Sequence, residues 1–509
     1  MKSNLPAGWA WSTLDELSVK ISDGSHNPPK GKEAGIPMLS AKNIQDNIIH
    51  FDDARLISEE DYQSEVSRVN ISAGDVLLTI VGTIGRTAVV ADGLPKFSLQ
   101  RSVAIIKPRI DSKFLAYCLR SPLIQKYLSD NAKGTAQKGI YLNALKKIPV
   151  CLPPAAEQAR IVEQLEATMQ KLEASQERLE KLPELLKKFR QAVLAAAVSG
   201  KLTEAWRAEQ VDLESAEQLV EQIIEVRKTR FAQASALAKA EGRKTPRRVF
   251  AEEAPTIGSA LLPELPDSWT ASTVGFLAHV TKLAGFEYTN YIKYEEQGDI
   301  PVVRAQNVQM GRFVEDNLLY IDLATSDFLE RSQLHGREVL MVFIGAGTGN
   351  VCLAPKDRRW HLAPNVAKID CDVISPEYLN FYLQSPTGLR NTLSFAKATA
   401  QPSLSMETIR EIAVALPGLA EQQEIVRQVN HYFELADQLE ARFEQAASLV
   451  EQLPQALLAK AFSGQLVPQD PNDEPASVLL ERLEAGVAAP VKGKRGRKPK
   501  AVADAPLFE

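Results

Sequence analysis

The sequence predicts an α+β protein: two repeated mixed α/β lobes joined by two long antiparallel coiled-coil helices, with pseudo-twofold symmetry. Three observations lead there. The 509-residue chain states its pattern twice, the first part of each copy has the texture of short strands and helices, and the second part carries a heptad seam.

The repeat is read from matched residues. Leu5-Pro6, Trp9 and Ser12-Thr13 return as Leu265-Pro266, Trp269 and Ser272-Thr273, an offset of 260; Ile36-Pro37, Ala41 and Asn43 return as Ile300-Pro301, Ala305 and Asn307, an offset of 264. Farther on, Ser121-Pro122 matches Ser385-Pro386, Thr135-Ala136-Gln137 matches Thr399-Ala400-Gln401, and Leu152-Pro153 with Glu157-Gln158 and Ile161-Val162 matches Leu416-Pro417 with Glu421-Gln422 and Ile425-Val426. Ser199-Gly200-x-Leu202 recurs as Ser463-Gly464-x-Leu466.

The lobes come first in each copy, at 1–153 and 263–417. Short apolar runs such as DVLLTIVG, SVAIIKP and KKIPVCLP, bounded by Gly, Pro, Asn and Asp, read as strands. FLAYCLRSPLIQKYL and EYLNFYLQSPTGLRNTL have helical spacing around a Ser-Pro that starts a new helix.

Helical spacers follow at 154–207 and 418–466. In the first, Leu165, Leu172, Leu179, Leu186 and Val193 share one heptad position, with Ile161, Leu182 and Phe189 on the other; Gln158, Thr168 and Ser175 interrupt the seam as wet or partner-facing positions. The second carries Ile425, Tyr432, Leu439 and Leu453 against Val429, Ala436, Phe443, Val450 and Leu457. Such seams belong to helices packed lengthwise on another helix. Pro183 and Pro454 cannot keep the helical hydrogen bond, so a kink or restart is expected at each. After the first spacer, 208–262 reads as a linker with a short amphipathic helix from Glu214 and an Ala- and charge-rich stretch at about 229–262. After the second, 467–509 reads as a similar short helix and a basic disordered tail.

Composition sets limits on function. A net charge of −5 means that any attraction for phosphate must come from local clusters of basic residues. Cys118, Cys151, Cys352 and Cys371 lack zinc spacing, and His26, His50, His279, His335, His361 and His431 form no HxxxH or HExxH pair, so no metal site is expected. The N-terminus lacks the apolar core of a signal peptide and AVLAAAV is too short to span a bilayer, which points to the cytoplasm and no membrane role.

Two equal lobes about a twofold axis suit the twofold-related strands of a DNA duplex, and their divergence suits an asymmetric two-part site. Base edges are read by Arg, Lys, Asn and Gln, and phosphates by a wider set of polar donors. In the first lobe these stand in turns at Ser25, His26, Asn27 and Lys30; Lys42 and Asn43; Thr83 and Arg86; Gln100 and Arg101; and Lys133, Thr135, Gln137 and Lys138. The second lobe offers Tyr288, Thr289 and Tyr291; Arg304, Gln306 and Asn307; Thr348 and Asn350; and Lys397, Thr399 and Gln401. Asn43 and Asn307 serve equally well as turn formers, because Asn caps backbone groups. The tail KGKRGRKPK, with six basic residues and no acid, resembles an AT-hook but fits sequence-independent phosphate attraction better.

Two fragments imitate an adenine methyltransferase: Phe343-x-Gly345-x-Gly347, like a loop that cradles S-adenosylmethionine, and Asn27-Pro28-Pro29, like a motif that grips a flipped adenine. The second needs an aromatic next and has Lys30; the first has as its repeat partner Gly82-Thr83-Ile84-Gly85, which lacks the pattern, so a glycine turn between strands explains both copies. No GxxxxGK[ST] phosphate loop exists. A self-contained adenine methyltransferase and a coiled-coil scaffold without DNA are the competing readings, and the scaffold leaves two lobes with basic, Asn/Gln-bearing loops unexplained.

The order of variable lobe, LPP-x-x-EQ-x-x-IV helix ending FRQAVLAAAVSGKLTEAWR, second lobe, and LPG-x-x-EQ-x-x-IV helix ending LLAKAFSGQL resembles the specificity subunits of type I restriction-modification systems. The resemblance spans nearly the whole chain and is strongest in 152–207 and 416–466. It implies two target-recognition domains on double-stranded DNA, held with two adenine-N6 methyltransferase subunits and with ATP-driven restriction subunits. It implies no cofactor in this chain, while the complex uses S-adenosylmethionine, and ATP with Mg for restriction. Leu165, Leu172, Leu179, Leu186, Phe189, Ile425, Tyr432, Leu439, Phe443 and Leu453 are then the helix-packing or partner-facing residues.

Overall fold

The computed structural model describes residues 5–45, 47–134, 138–242, 244–245, 255, 257, 261–395 and 403–486. They form two compact units: Met1–Leu179 with Gln445–Glu509, and Glu180–Glu444.

In the first unit a four-stranded antiparallel sheet runs in the order Ser18–Asp23, Val103–Pro108, Val76–Thr79, Thr87–Val89. The period of two sorts its side chains. Val76, Leu78, Ala104 and Ile106 face a core with Phe114, Leu115, Leu119 and Ile124 of the two helices, whereas Leu77, Val103 and Ile105 face Leu39, Ile44 and Phe97. Both faces being covered, the strands read as near-continuous apolar runs. The helices are Ser112–Arg120, capped by Asp111 on the Phe114 amide, and Pro122–Asn131, with its proline in the first turn. A second sheet holds Arg55–Ile57, Ile36–Leu39 and Ser98–Leu99. Ala10–Thr13 pairs with Pro149–Leu152, tying the start of the lobe to its end.

The second unit repeats the plan. Its sheet runs Ala278–Lys282, Val366–Cys371, Glu338–Val342, Val351–Leu353, its helices are Pro376–Gln384 and Pro386–Ser394, and Thr270–Thr273 pairs with Ala413–Leu416.

The spacers are helical at Ala155–Glu180, Leu182–Val198 and Leu419–Ala461. The two prolines behave differently. The first spacer restarts at Lys181, just ahead of Pro183, whereas Pro454 lies inside the helix Leu419–Ala461, which does not restart there. Tight packing just beyond it, at the fully buried Leu458 and Ala461, holds that helix through the missing N–H. The seam is dry at Leu165, Leu186 and Ile425, half-buried at Leu172, Leu179, Tyr432 and Phe443, and exposed at Phe189, Leu439 and Leu453.

Each unit is completed by a distant piece of chain. In the first, Phe462 stacks on Phe114 at 5.5 Å and its carbonyl accepts the Cys151 thiol; in the second, Val193, Leu194, Ala197 and Val198 join the core around Tyr378 and Leu416. The repeated Ser-Gly explains itself here. Gly464 (φ +72°) and Gly200 (φ +73°) are left-handed, and a Cβ on either would stand 2.4 Å from Pro6 or Pro266 of the lobe it abuts. The next helices dock alike, Ala476 N–H donating to the Gly8 carbonyl and Ala216 N–H to that of Ser268. The latter helix is not short: it runs Ala216–Ala240, because Ser215 and Gln218 form a capping box and the Ala-rich, charged continuation favours helix where a linker was expected.

The repeated Trp and Glu-Gln are structural. Trp9 Nε1 donates to Glu157 and Trp269 Nε1 to Glu421, at 3.0 and 2.8 Å, while the Gln158 and Gln422 amides bond the Pro153 and Pro417 carbonyls.

Candidate nucleic-acid interface

Strand register decides which loops meet. In the first lobe Ala104 lies opposite Asp23, Val103 opposite Thr79 and Leu78 opposite Thr87, so one end of the sheet gathers the loops at 24–30, 80–86 and 100–102. Lys133 and the stretch 138–143 join them through the pairings of Gly139 with Val81 and Lys133. His26, Arg101 and Lys133, up to 107 residues apart in sequence, thereby line one cleft of about 450 Å³ with Tyr141 and Asn143.

These side chains are available to a ligand. Asn27, Lys30, Lys42, Thr83, Arg101, Lys133 and Lys138 are exposed, and Arg86 and Gln100 half-buried. His26 is exposed and bonded to Asp23 at 2.8 Å. Three residues expected to read DNA are instead consumed by the fold. Ser25 is buried with its hydroxyl on Glu65, Asn43 accepts from Ser40 and donates to the Asp52 carbonyl, and Asn307 accepts from Arg304 N–H and donates to the Val314 and Asp316 carbonyls. Closing a turn from inside engages both the oxygen and the nitrogen of the asparagine amide in the fold and buries them, Asn43 at 2% and Asn307 at 0% exposure, away from a base. Thr135, Gln137, Lys397, Thr399, Gln401 and the basic tail lie outside the described residues.

In the second lobe Lys282 lies opposite Ala367, Val366 opposite Val342 and Met341 opposite Val351, and the equivalent sheet end carries aromatic side chains. Tyr288, Thr289 and Tyr291 are exposed on the helix Gly285–Tyr291. Tyr291 packs on Phe328 at 4.9 Å, and burial behind Tyr288 pushes the Tyr294 phenol up to about 12. Gln306 is exposed, while the Arg304 guanidinium is held by the Asn317 carbonyl. Thr348 and Asn350 are half-buried and bond the Gly345 and Val308 carbonyls, so they shape the loop before they can touch a ligand.

The glycine-rich loop is a hairpin turn. Gly349 N–H returns to the Val342 carbonyl between two antiparallel strands, with Gly345 and Gly349 both at positive φ. Sequence reasoning missed Tyr141, which is 70% exposed in the cleft, and Phe286 and Phe328, each 66% exposed in the second lobe. Neither Tyr141, set among Ile140, Leu142 and Leu145, nor Phe328 carried a sequence signal that set it apart from core residues. Among the described residues no group of three or more His, Cys, Asp or Glu could hold a metal, and no helix is long and apolar enough to cross a membrane.

The family model of the type I restriction modification DNA specificity domain matches residues 6–184 and again 266–447. The chain belongs to this family. Among specificity subunits, that of the type I restriction enzyme EcoKI of Escherichia coli K12 is 26% identical over 527 residues, covering 97% of this chain and 98% of its own. The StySPI specificity subunit of Salmonella potsdam is 26% identical, covering 98% and 99%. The crystal structure of the HsdS subunit from Thermoanaerobacter tengcongensis shares the fold, with a TM-score of 0.58 at 17% identity over 91% of this chain and 99% of that one. The two matched segments of this specificity subunit each start at the lobe's Leu-Pro and run into the following helix, so the family unit is a lobe with its spacer.

Proposed function

We propose that this chain is the non-catalytic DNA-reading subunit of a type I restriction-modification complex, recognising an asymmetric bipartite site and holding two adenine-N6 methyltransferase subunits and the restriction subunits there, in the cytoplasm. One observation carries the reading: two copies of one frame present different side chains at the same sheet end, His26, Arg101 and Lys133 in one lobe and Tyr288 and Tyr291 in the other. Non-identical readers on a repeated frame suit two unlike half-sites.

The antiparallel coiled coil and pseudo-twofold arrangement belong to this proposal. Within the second unit, Val193, Leu194, Ala197 and Val198 share a core with Ile425 and Val429, Phe189 meets Tyr432, and Leu185 and Leu186 line a groove with Leu439 and Arg442, so numbers fall along one helix as they rise along the other. Leu185, Phe189, Leu435 and Leu439 leave an apolar strip along a groove of about 490 Å³, the place for a methyltransferase subunit's helix. S-adenosylmethionine, and ATP with Mg, belong to the partners in this reading.

Single-molecule methylome sequencing of cells with and without the gene is the test. One bipartite N6-methyladenine motif should vanish with it, and the purified chain with S-adenosylmethionine should transfer no methyl group. Robust methylation by the chain alone would overturn the reading.

A further inference from the structure

One stretch of backbone is built alike in the two lobes and carries unlike side chains. In the first lobe Gly139 pairs with Val81, the Ile140 N–H donates to the Ile80 carbonyl at 2.8 Å, and the helix Leu142–Leu145 follows, with Ile140 and Leu145 buried. In the second, Ser403 pairs with Ile344, the Leu404 N–H donates to the Phe343 carbonyl at 2.8 Å, and the helix Met406–Arg410 follows, with Leu404 and Ile409 buried. The residue between buried anchor and helix is Tyr141 in one copy and Ser405 in the other, at the repeat's offset of 264.

Ser405 caps its helix, its hydroxyl accepting from the Thr408 N–H at 3.0 Å. Tyr141 stands at the same N-cap position and makes no side-chain cap bond. Its ring is instead the most exposed aromatic among the described residues, at 70%. The first lobe thus forgoes a cap and leaves an apolar ring in water, neither of which helps it fold. The backbone around the ring is pinned. Lys133 and Gly139 exchange both backbone hydrogen bonds, at 2.8 and 2.9 Å, and the Ala144 and Leu145 N–H groups return to the Tyr141 carbonyl at 2.8 and 3.1 Å. A side chain that projects from fixed backbone has little more freedom to lose on binding. Arg101 and Lys133 line the same cleft, and cations beside a free ring suit a ligand with both phosphates and flat bases.

We propose that the Tyr141 ring enters the base stack of the DNA at the first lobe's half-site, with Arg101 and Lys133 on the phosphates to either side. This rests on the DNA-reading role proposed above and adds how one half-site is read: by the ease with which a base step opens, which favours flexible pyrimidine–purine steps. Ser405 offers no ring at the equivalent place, so this opening belongs to one half of the motif.

The test uses the full chain assembled with its methyltransferase subunits, duplexes that carry the motif found by methylome sequencing with 2-aminopurine at successive positions, and the variants Tyr141→Ser and Tyr141→Phe. The unsubstituted chain and Tyr141→Phe should brighten 2-aminopurine at one step of one half-site, where Tyr141→Ser should not. Tyr141→Ser should weaken binding about tenfold and leave the slope of log affinity against log salt unchanged, since a stacking ring neutralises no phosphate. The same variant should raise the unfolding temperature by about 2 °C, because it installs the cap seen at Ser405, so a lost fold is not the cause of the lost affinity. Equal binding by Tyr141→Ser, or an equal loss in Tyr141→Phe, would overturn the stacking role. So would weaker assembly at unchanged DNA affinity, which makes a protein surface the ring's partner. If the unsubstituted complex binds no DNA, the DNA-reading role itself falls, and this inference with it.

Discussion

Glu157 and Glu421 hold the same place in the two copies, each under an indole N–H, yet they face different chemistry. Glu421 also accepts from Thr203 at 2.7 Å and pairs with Arg207, whereas Glu157 keeps one buried oxygen without a partner. Burial accordingly pushes the Glu157 carboxyl up from its ordinary value, opposed by the Trp9 hydrogen bond. A raised carboxyl binds its proton more tightly folded than unfolded. Its cost is therefore absent at low pH and grows as pH rises from the unfolded value, about 4.3, through the folded one. Glu157→Gln should stabilise the first unit at neutral pH, with the gain closing as pH falls toward 4, whereas Glu421→Gln takes the charged partner from the half-buried Arg207 guanidinium and should cost the second unit about 2 kcal/mol. Thermal unfolding against pH separates the two. At the cleft, Arg101→Ala and Lys133→Ala should each weaken DNA binding and lower the slope of log affinity against log salt by about 0.9. Asn43→Ala should lose about 1 kcal/mol of stability and leave that slope alone.

Pro183 and Pro454 show how an identical residue acts differently by its place in a helix. Pro183 sits in the first turn after the restart at Lys181, where its missing N–H would have had no partner, but Pro454 removes a bond from the interior of Leu419–Ala461. Pro454→Ala should therefore stabilise the chain by about 1–3 kcal/mol, and Pro183→Ala by little; denaturant melts measure both. Helices and strands were legible because periods of two and three and a half are local signals, and the Ser-Pro helix starts are local too. The helix through Ala240 was not, because alanine and charge without an apolar stripe read alike in helix and linker. The cleft was half legible. The sequence marks His26, Arg101 and Lys133 as polar turn residues, but their meeting depends on strand register, and the burial of Ser25, Asn43 and Asn307 depends on which way a turn closes.

At the scale of the whole molecule, the spacers should set the distance between the half-sites. A heptad of helix spans about 10.5 Å, close to three base pairs at roughly 3.4 Å. Deleting 166–172 together with the heptad facing it on the second long helix keeps the seam in register, so the variant should prefer a DNA spacer shortened by about two to four base pairs, with some affinity lost to rotation around the duplex. Binding assays over a ladder of spacer lengths decide this: an unchanged optimum in a folded variant would remove the spacers from that role.

The piece of chain that completes each lobe also fixes when the lobe can finish folding. The second unit is one continuous stretch, Glu180–Glu444, so all of its core has left the ribosome before synthesis ends. The first unit needs Leu458, Phe462 and Ala476, made more than 300 residues after Phe114 and Cys151, which they cover. During translation the earlier lobe waits with an open apolar face while the later one closes, an inversion of the usual order in which N-terminal domains fold first. A released chain truncated after residue 444 should accordingly protect Pro376–Gln384 from proteolysis and leave Ser112–Arg120 open to it.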